Sequence, residues 1–271
     1  MSKNKERIVV LVSLGQIVQS DLSKSVDAFT QALGGGFFDS LKVKAALLWD
    51  SSPFGPNTID NGKKGNLTDA QFRAAINAQL GSALDDATFD RCWNAMCDTI
   101  TDEVAKQLKE AEQFAKEKGI EFAVPSATNP IQFNFIKQAL TDKAITLLDN
   151  AHVITSYEGA GKGQLNQKEL AKIAVTDKGY DVAGTRIITL NRGYQVAVDL
   201  GVQNAGVTYV PFNTNEPEAS LLNSLKQIPG IEQRSSISPS VSSSSTGVHV
   251  ANVVDRRKSG EDKGAGVGVF Q

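Results

Sequence analysis

At 271 residues, 41% hydrophobic and 21% charged, the chain has the make-up of a soluble globular protein. Its length allows one sizeable domain, or a core plus a smaller insert. A formal net charge of −2 excludes the basic excess that general nucleic-acid or anionic-membrane binding needs.

The N-terminal M-S-K-N-K-E-R leads into an apolar run broken by Ser13, Gly15 and Gln16, which is not a signal-peptide core. No other run reaches transmembrane length. Cys92 and Cys97 sit on one expected helix, which argues against a structural disulfide and for a reducing, cytoplasmic setting.

Ile8–Val18 reads I-V-V-L-V-S-L-G-Q-I-V. A short continuous apolar run predicts a strand, Ile8–Val12, buried on both faces as in a parallel sheet. Ser13 then stands at its carboxyl end, where ligand crevices of open α/β sheets lie. Asp21–Leu33 carries Leu22, Val26, Phe29 and Leu33 at helical spacing, with Asp21 or Ser20 as cap and Gly34-Gly35-Gly36 as stop. Phe37–Trp49 predicts a second helix with Phe37, Leu41, Ala45 and Leu48 on one side. Ser51–Gly65 reads as a loop, and its Lys63-Lys64 pair as a solvated one. Thr68 and Gln71 form a capping box for a helix with Phe72, Ile76 and Leu80 inward. Asp85 or Asp86 caps another, Phe89–Ile100, with Phe89, Trp93 and Met96 inward.

Thr101–Gly119 is a long amphipathic helix carrying Val104, Leu108, Ala111 and Ala115, and Gly119 stops it. A strand, Ile120–Val124, runs into P-S-A-T-N-P. There a hydroxyl and amides at the start of helix Ile131–Leu140 suit an anion, or Ser126 and Thr128 simply cap that helix. His152–Thr155 is a short strand leading to S-Y-E-G-A-G-K-G. This is not a P-loop, because Gly163 rather than Ser or Thr follows Lys162. A helix, Gln164–Ala174, and strands Arg186–Leu190 and Val207–Pro211 follow, then a helix Glu216–Leu225 capped by Asn215 or Thr214. From Gln233 the chain is Ser/Gly-rich and polar, and reads as a disordered tail with a short apolar stretch, Val248–Val254.

The order of these pieces, from Ile8 to Leu225, resembles the haloacid-dehalogenase-like (HAD-like) hydrolases, in the branch that carries a helical cap. V-L-V-S-L-G-Q-I-V looks like the first family motif, with Ser13 in place of the nucleophilic Asp and Gly15 at the second acidic position. G-N-L-T-x-x-x-F and F-x-x-x-W-N-A-M are similar to the cap helices. P-S-A-T-N-P resembles the second motif, which implies phosphoryl binding by the Ser126 hydroxyl and the Ala127 backbone. Lys162 matches the third-motif Lys, one residue early and with Gly163 in place of Pro. Where the family carries paired fourth-motif carboxylates, this chain has Thr189, Leu190 and Asn191. The resemblance implies an α/β fold: a Rossmann-like parallel sheet flanked by helices, with a small helical cap inserted after the first strand. The implied division is a core of 1–19 and 101–232, a cap of 20–100 and a tail of 233–271.

An active relative would use an Asp nucleophile and Mg²⁺. This chain offers no carboxylate at Ser13, Gly15 or Thr189–Asn191, and Mg²⁺ sites usually include one. Ser13 has no evident base, since His152 reads as a strand residue and His249 falls in the tail. The preferred expectation is a non-catalytic protein that binds a ligand or partner through Ser13, Ser126, Ala127, Lys162 and Asn191. It needs no cofactor, and its partner is a phosphorylated small molecule or a protein rather than nucleic acid or membrane. Two alternatives stand beside it. One is an active phosphohydrolase using Mg²⁺ and displaced acids such as Asp21, Asp50 or Asp199. The other is a secreted effector whose tail is a recognition segment.

Overall fold

Five parallel strands form one sheet: Arg7–Leu11 (β1), Ile120–Ser126 (β2), His152–Thr155 (β3), Thr185–Thr189 (β4) and Val207–Tyr209 (β5). Their order is β3-β2-β1-β4-β5 in a computed structural model that describes residues 6–97, 100–157, 165–199, 206–212 and 217–234. Every expected strand is present, with ends shifted by a residue or two. β1 lies at the centre, with Ile8 beside Ile120 on one side and Arg186 on the other.

The central position explains the apolar run. Residues Ile8 through Val12 are all 0% exposed, because helices cover both faces of the sheet. Ile8, Val10 and Val12 belong to a core that includes Leu108 and Ala111 of α6 (Asp102–Lys118), Ile136 of α7 (Pro130–Asp142) and Leu221 of α10 (Pro217–Lys226). Val9 and Leu11 belong to a second core with Ala171 and Ala174 of α8 (Gln167–Asp177) and Tyr194 and Val198 of α9 (Arg192–Asp199). The helical numbering of α6 is met with one change: Ala105 rather than Val104 is buried beside Leu108, Ala111 and Ala115.

Between β1 and α6 come five further helices: Leu22–Leu33 (α1), Phe37–Asp50 (α2), Thr58–Lys63 (α3), Asp69–Leu80 (α4) and Asp86–Asn94 (α5). Asp21 caps α1, Thr68 and Gln71 form the capping box of α4, and Asp85 caps α5. Phe29, Phe72, Phe89 and Trp93 form one buried aromatic cluster, with Phe72 and Trp93 edge to face at 4.8 Å. Arg73 grips Asp90 with two hydrogen bonds of 2.7 Å and ties α4 to α5. At the base of the insert the Asp21 N–H donates to Met96 O at 2.7 Å, and Ser20 bridges Cys97.

Three expectations are corrected. The Ser51–Gly65 loop contains α3, whose first amides are held by the distant Asp50 carboxylate rather than by a local cap. α5 ends at Asn94 rather than Ile100, because the chain turns to bridge Ser20. α8 starts at Gln167 rather than Gln164, where Asn166 and Glu169 make its capping box. The tail beyond Arg234 and the caps proposed at Thr214 and Asn215 lie outside the described residues. No described helix is long and apolar enough to cross a membrane.

His152 opens β3, with Nε2 3.1 Å from Asp177 Oδ2. Burial holds its imidazole below the ordinary value, and Lys178 adds to this against the pull of Asp177. A histidine whose folded-state pKa is lowered favours folding while it is neutral. Its stabilisation is therefore complete above about pH 6.5, the ordinary imidazole value, and is lost as pH falls below it. Urea melts from pH 7.5 to 5 are expected to show this decline, and the His152→Gln chain a shallower one. An equally steep decline in the variant would assign the effect to other groups.

Candidate functional site

β1 hands the chain to a single 3₁₀ turn, Leu14–Gln16, which Ser13 precedes with extended backbone angles. The Ser13 N–H donates to Gln16 Oε1 at 2.9 Å, and Gln16 Nε2 donates to Leu190 O at 2.9 Å. Gln16 thereby staples the end of β1 to the end of β4. This is where the strand order turns from β2 on one side of β1 to β4 on the other, the switch point at which α/β sheets open a crevice. Gly15, in the turn that follows, borders open space: a Cβ there would meet nothing within 4 Å.

The parallel register brings the second predicted residue close. Leu11 pairs with Ala123, and the Val12 N–H donates to Ala123 O at 3.1 Å. Ser13 and Ser126 therefore sit at adjoining strand ends. Ser126 does not cap α7; Asn129 does, accepting from the Gln132 N–H at 2.9 Å. The Ser126 hydroxyl is buried without a hydrogen-bond partner among the described residues, and so is Asn129 Nδ2. Ala127 follows, half-buried, between the strand and α7.

On the other side, Thr189 Oγ1 donates to Asn191 O at 2.9 Å and accepts from the Asn191 N–H at 3.1 Å. Asn191 Oδ1 accepts from the Gly193 N–H at 2.8 Å, starting α9. Asn191 is thus at the same end of the sheet, with its carbonyl engaged. Lys162 lies outside the described residues.

Tyr194 was not singled out by its sequence. Its hydroxyl is buried beside the Ser13 and Gln167 side chains, and among the described residues no partner meets it in hydrogen-bond geometry. Burial pushes the phenol up, out of the range in which it could serve as a base, and Gln167 and Ser13 oppose this only weakly. Nor does sequence pattern reveal that α3 comes over to this region. Ser156 Oγ donates to Lys63 O, and a Cβ at Gly65 would lie 2.6 Å from Tyr157 Cα. The turn before α4 thus rests on the chain just beyond β3.

The described donor set does not fit Mg²⁺. Ser13, Gly15 and Thr189–Asn191 supply no carboxylate, and the Thr189 hydroxyl is committed to Asn191. Asp21 caps α1, Asp50 holds α3, and Asp199 accepts from the Val207 N–H at 3.3 Å. Among the described residues no three His, Cys, Asp or Glu side chains are grouped to hold a metal.

The architecture has known counterparts. The HAD family enzyme BT-2542 of Bacteroides thetaiotaomicron, solved with magnesium and inorganic phosphate, matches over 78% of this chain and 96% of its own, with a TM-score of 0.53 at 19% identity. An Asp-to-Ala variant of that enzyme, also with magnesium and phosphate, gives 0.54 at 20% identity over 78% and 95%. A predicted HAD-like family hydrolase from Porphyromonas gingivalis matches over 83% and 99%, with a TM-score of 0.58 at 16% identity. The chain has the HAD-like fold. No family model and no curated protein sequence matches it.

Proposed function

We propose that the chain is a HAD-like protein without hydrolytic chemistry that binds phosphate or a phosphorylated small molecule without a metal. The buried Ser126 hydroxyl, without a partner among the described residues and beside the α7 N-terminus, carries this reading. A buried polar group left unpaired costs about 1–3 kcal/mol, so a ligand oxygen there would recover that cost. The helix start adds a partial positive charge. Ser13 in place of a carboxylate removes a repulsion of about 4 kcal/mol for an anion 4 Å away at an effective dielectric of 20, before screening. Asn191 borders the same end of the sheet, and Lys162 supplies the counter-charge that the family resemblance assigns to it.

The deciding experiment is a thermal shift series with phosphate, sulfate and sugar phosphates in EDTA, run beside a phosphoester turnover assay with Mg²⁺. Phosphate at a hundred times its dissociation constant should stabilise the fold by about 2.7 kcal/mol. Ser126→Ala and Lys162→Ala should each abolish most of that shift. No Mg²⁺-dependent phosphate release is expected, and Ser13→Asp should not restore it, because Thr189 and Leu190 still occupy the places of the second pair of acids. Turnover that disappears on changing a single acidic residue would overturn the non-catalytic reading. Equal stabilisation of the Ser126→Ala chain would remove the site.

A further inference from the structure

α2 is a helix turned the wrong way for a monomer. Its inward residues are Val43, Leu47 and Asp50. Its outward side carries Phe37, Phe38, Leu41, Leu48 and Trp49 at 78%, 82%, 56%, 74% and 54% exposure, with Phe54 just beyond at 86%. Taking about 200 Å² per aromatic side chain, these six groups expose on the order of 800 Å². The largest apolar patch of an ordinary monomer is roughly 300–600 Å². About 800 Å² per partner is what a standard protein interface buries.

The spacing says what kind of surface would match it. Phe38, Leu41, Ala45 and Leu48 are exposed at intervals of three, four and three, the seam of a two-helix coiled coil. The seam is also complementary to itself when reversed. With a two-fold axis opposite Val43, Phe38 comes level with Leu48 of a second copy and Leu41 with Ala45. The small Ala45 leaves the room that Leu41 fills, and the pairing occurs twice, as an isologous contact requires. The helix has 14 residues, about 21 Å, enough for four such layers. A net charge of −2 sets little repulsion against two copies meeting.

We infer that the chain forms a two-fold dimer through the outward face of α2, with the two α2 helices antiparallel. The arrangement leaves Ser13 and Ser126 out of the interface, at the carboxyl end of the sheet.

Sedimentation velocity on the full chain across a wide concentration range tests it. The expected species has twice the 28.9 kDa chain mass. Leu41→Glu should run at the single-chain mass throughout, with an unchanged far-ultraviolet circular dichroism spectrum. The Leu41→Cys/Ala45→Cys chain should oxidise to a covalent dimer, and neither single cysteine variant should, because only unlike positions are level across the axis. A chain that stays monomeric at every concentration overturns the inference, as does a dimer that survives Leu41→Glu. So does crosslinking by either single variant. A monomer that sediments with mixed zwitterionic and anionic vesicles, and no longer does so as Leu41→Glu, would assign the face to a lipid surface instead.

Discussion

Trp93→Ala is expected to destabilise the fold by about 3–5 kcal/mol, the range for emptying a large aromatic site in a packed core. Trp93 is 1% exposed, stacked on Phe89 at 6.5 Å and edge-on to Phe72 at 4.8 Å. Through Phe89 it also reaches Phe29, so the cluster joins α1, α4 and α5. The hole cannot collapse without moving all three helices. At roughly 2–4 °C per kcal/mol for a domain of this size, the melting temperature should fall by about 6–20 °C. Trp93→Phe should cost less than half as much. It keeps the stacking and removes an indole N–H that is buried without a partner among the described residues. Circular dichroism is the right monitor, because the other tryptophan, Trp49, is exposed and would report little. A loss below about 1 kcal/mol in the Ala variant would show that the rings do not hold the insert together.

Asp50→Ala should cost nearly as much, by a different route. The Asp50 carboxylate is 1% exposed and accepts from the Thr58 and Ile59 N–H groups at 2.7 and 3.0 Å and from Gln79 Nε2 at 3.0 Å. Removing it leaves two amides at the start of α3 without acceptors, at about 1–3 kcal/mol each. Asp50→Asn should lose less, because one oxygen still accepts. Chemical denaturation measures the sum, and hydrogen exchange at Thr58 and Ile59 locates it, with protection falling there first. An Ala variant within 0.5 kcal/mol of the parent would mean that α3 is held by Ile59 packing alone. This acid is therefore structural in the described chain. Asp21 and Asp199 are engaged in the same way, the first as the cap of α1 and the second as acceptor of the Val207 N–H.

Strands and caps were legible because their signals are local. Five consecutive apolar residues before Ser13 mean a strand covered on both faces, and Thr68 with Gln71 means a helix start. What was not legible depends on residues far apart in the chain. α3 begins at Thr58 after Asn57 in a left-handed conformation, with no cap of its own, because the carboxylate that serves it is eight residues upstream. The periodicity of α2 located its apolar side correctly but carried no information about whether that side faces inward. At the site, Ser13, Ser126 and Asn191 could be placed on strand ends by pattern and resemblance. Gln16 and Tyr194 could not, since each acquires its role only when β1 and β4 become neighbours.

Gly65 has a mechanical consequence. Its backbone has φ of +74°, and the contact with Tyr157 leaves no room for a side chain between the two chains. The insert is thus clasped to the segment beyond β3 at a point where main chain meets main chain, next to the Ser156–Lys63 hydrogen bond. Any swing of the helices away from the sheet must undo that clasp first. That clasp is a seam of backbone against backbone, with no side chain between that could repack. A single methyl group at position 65 would wedge it ajar.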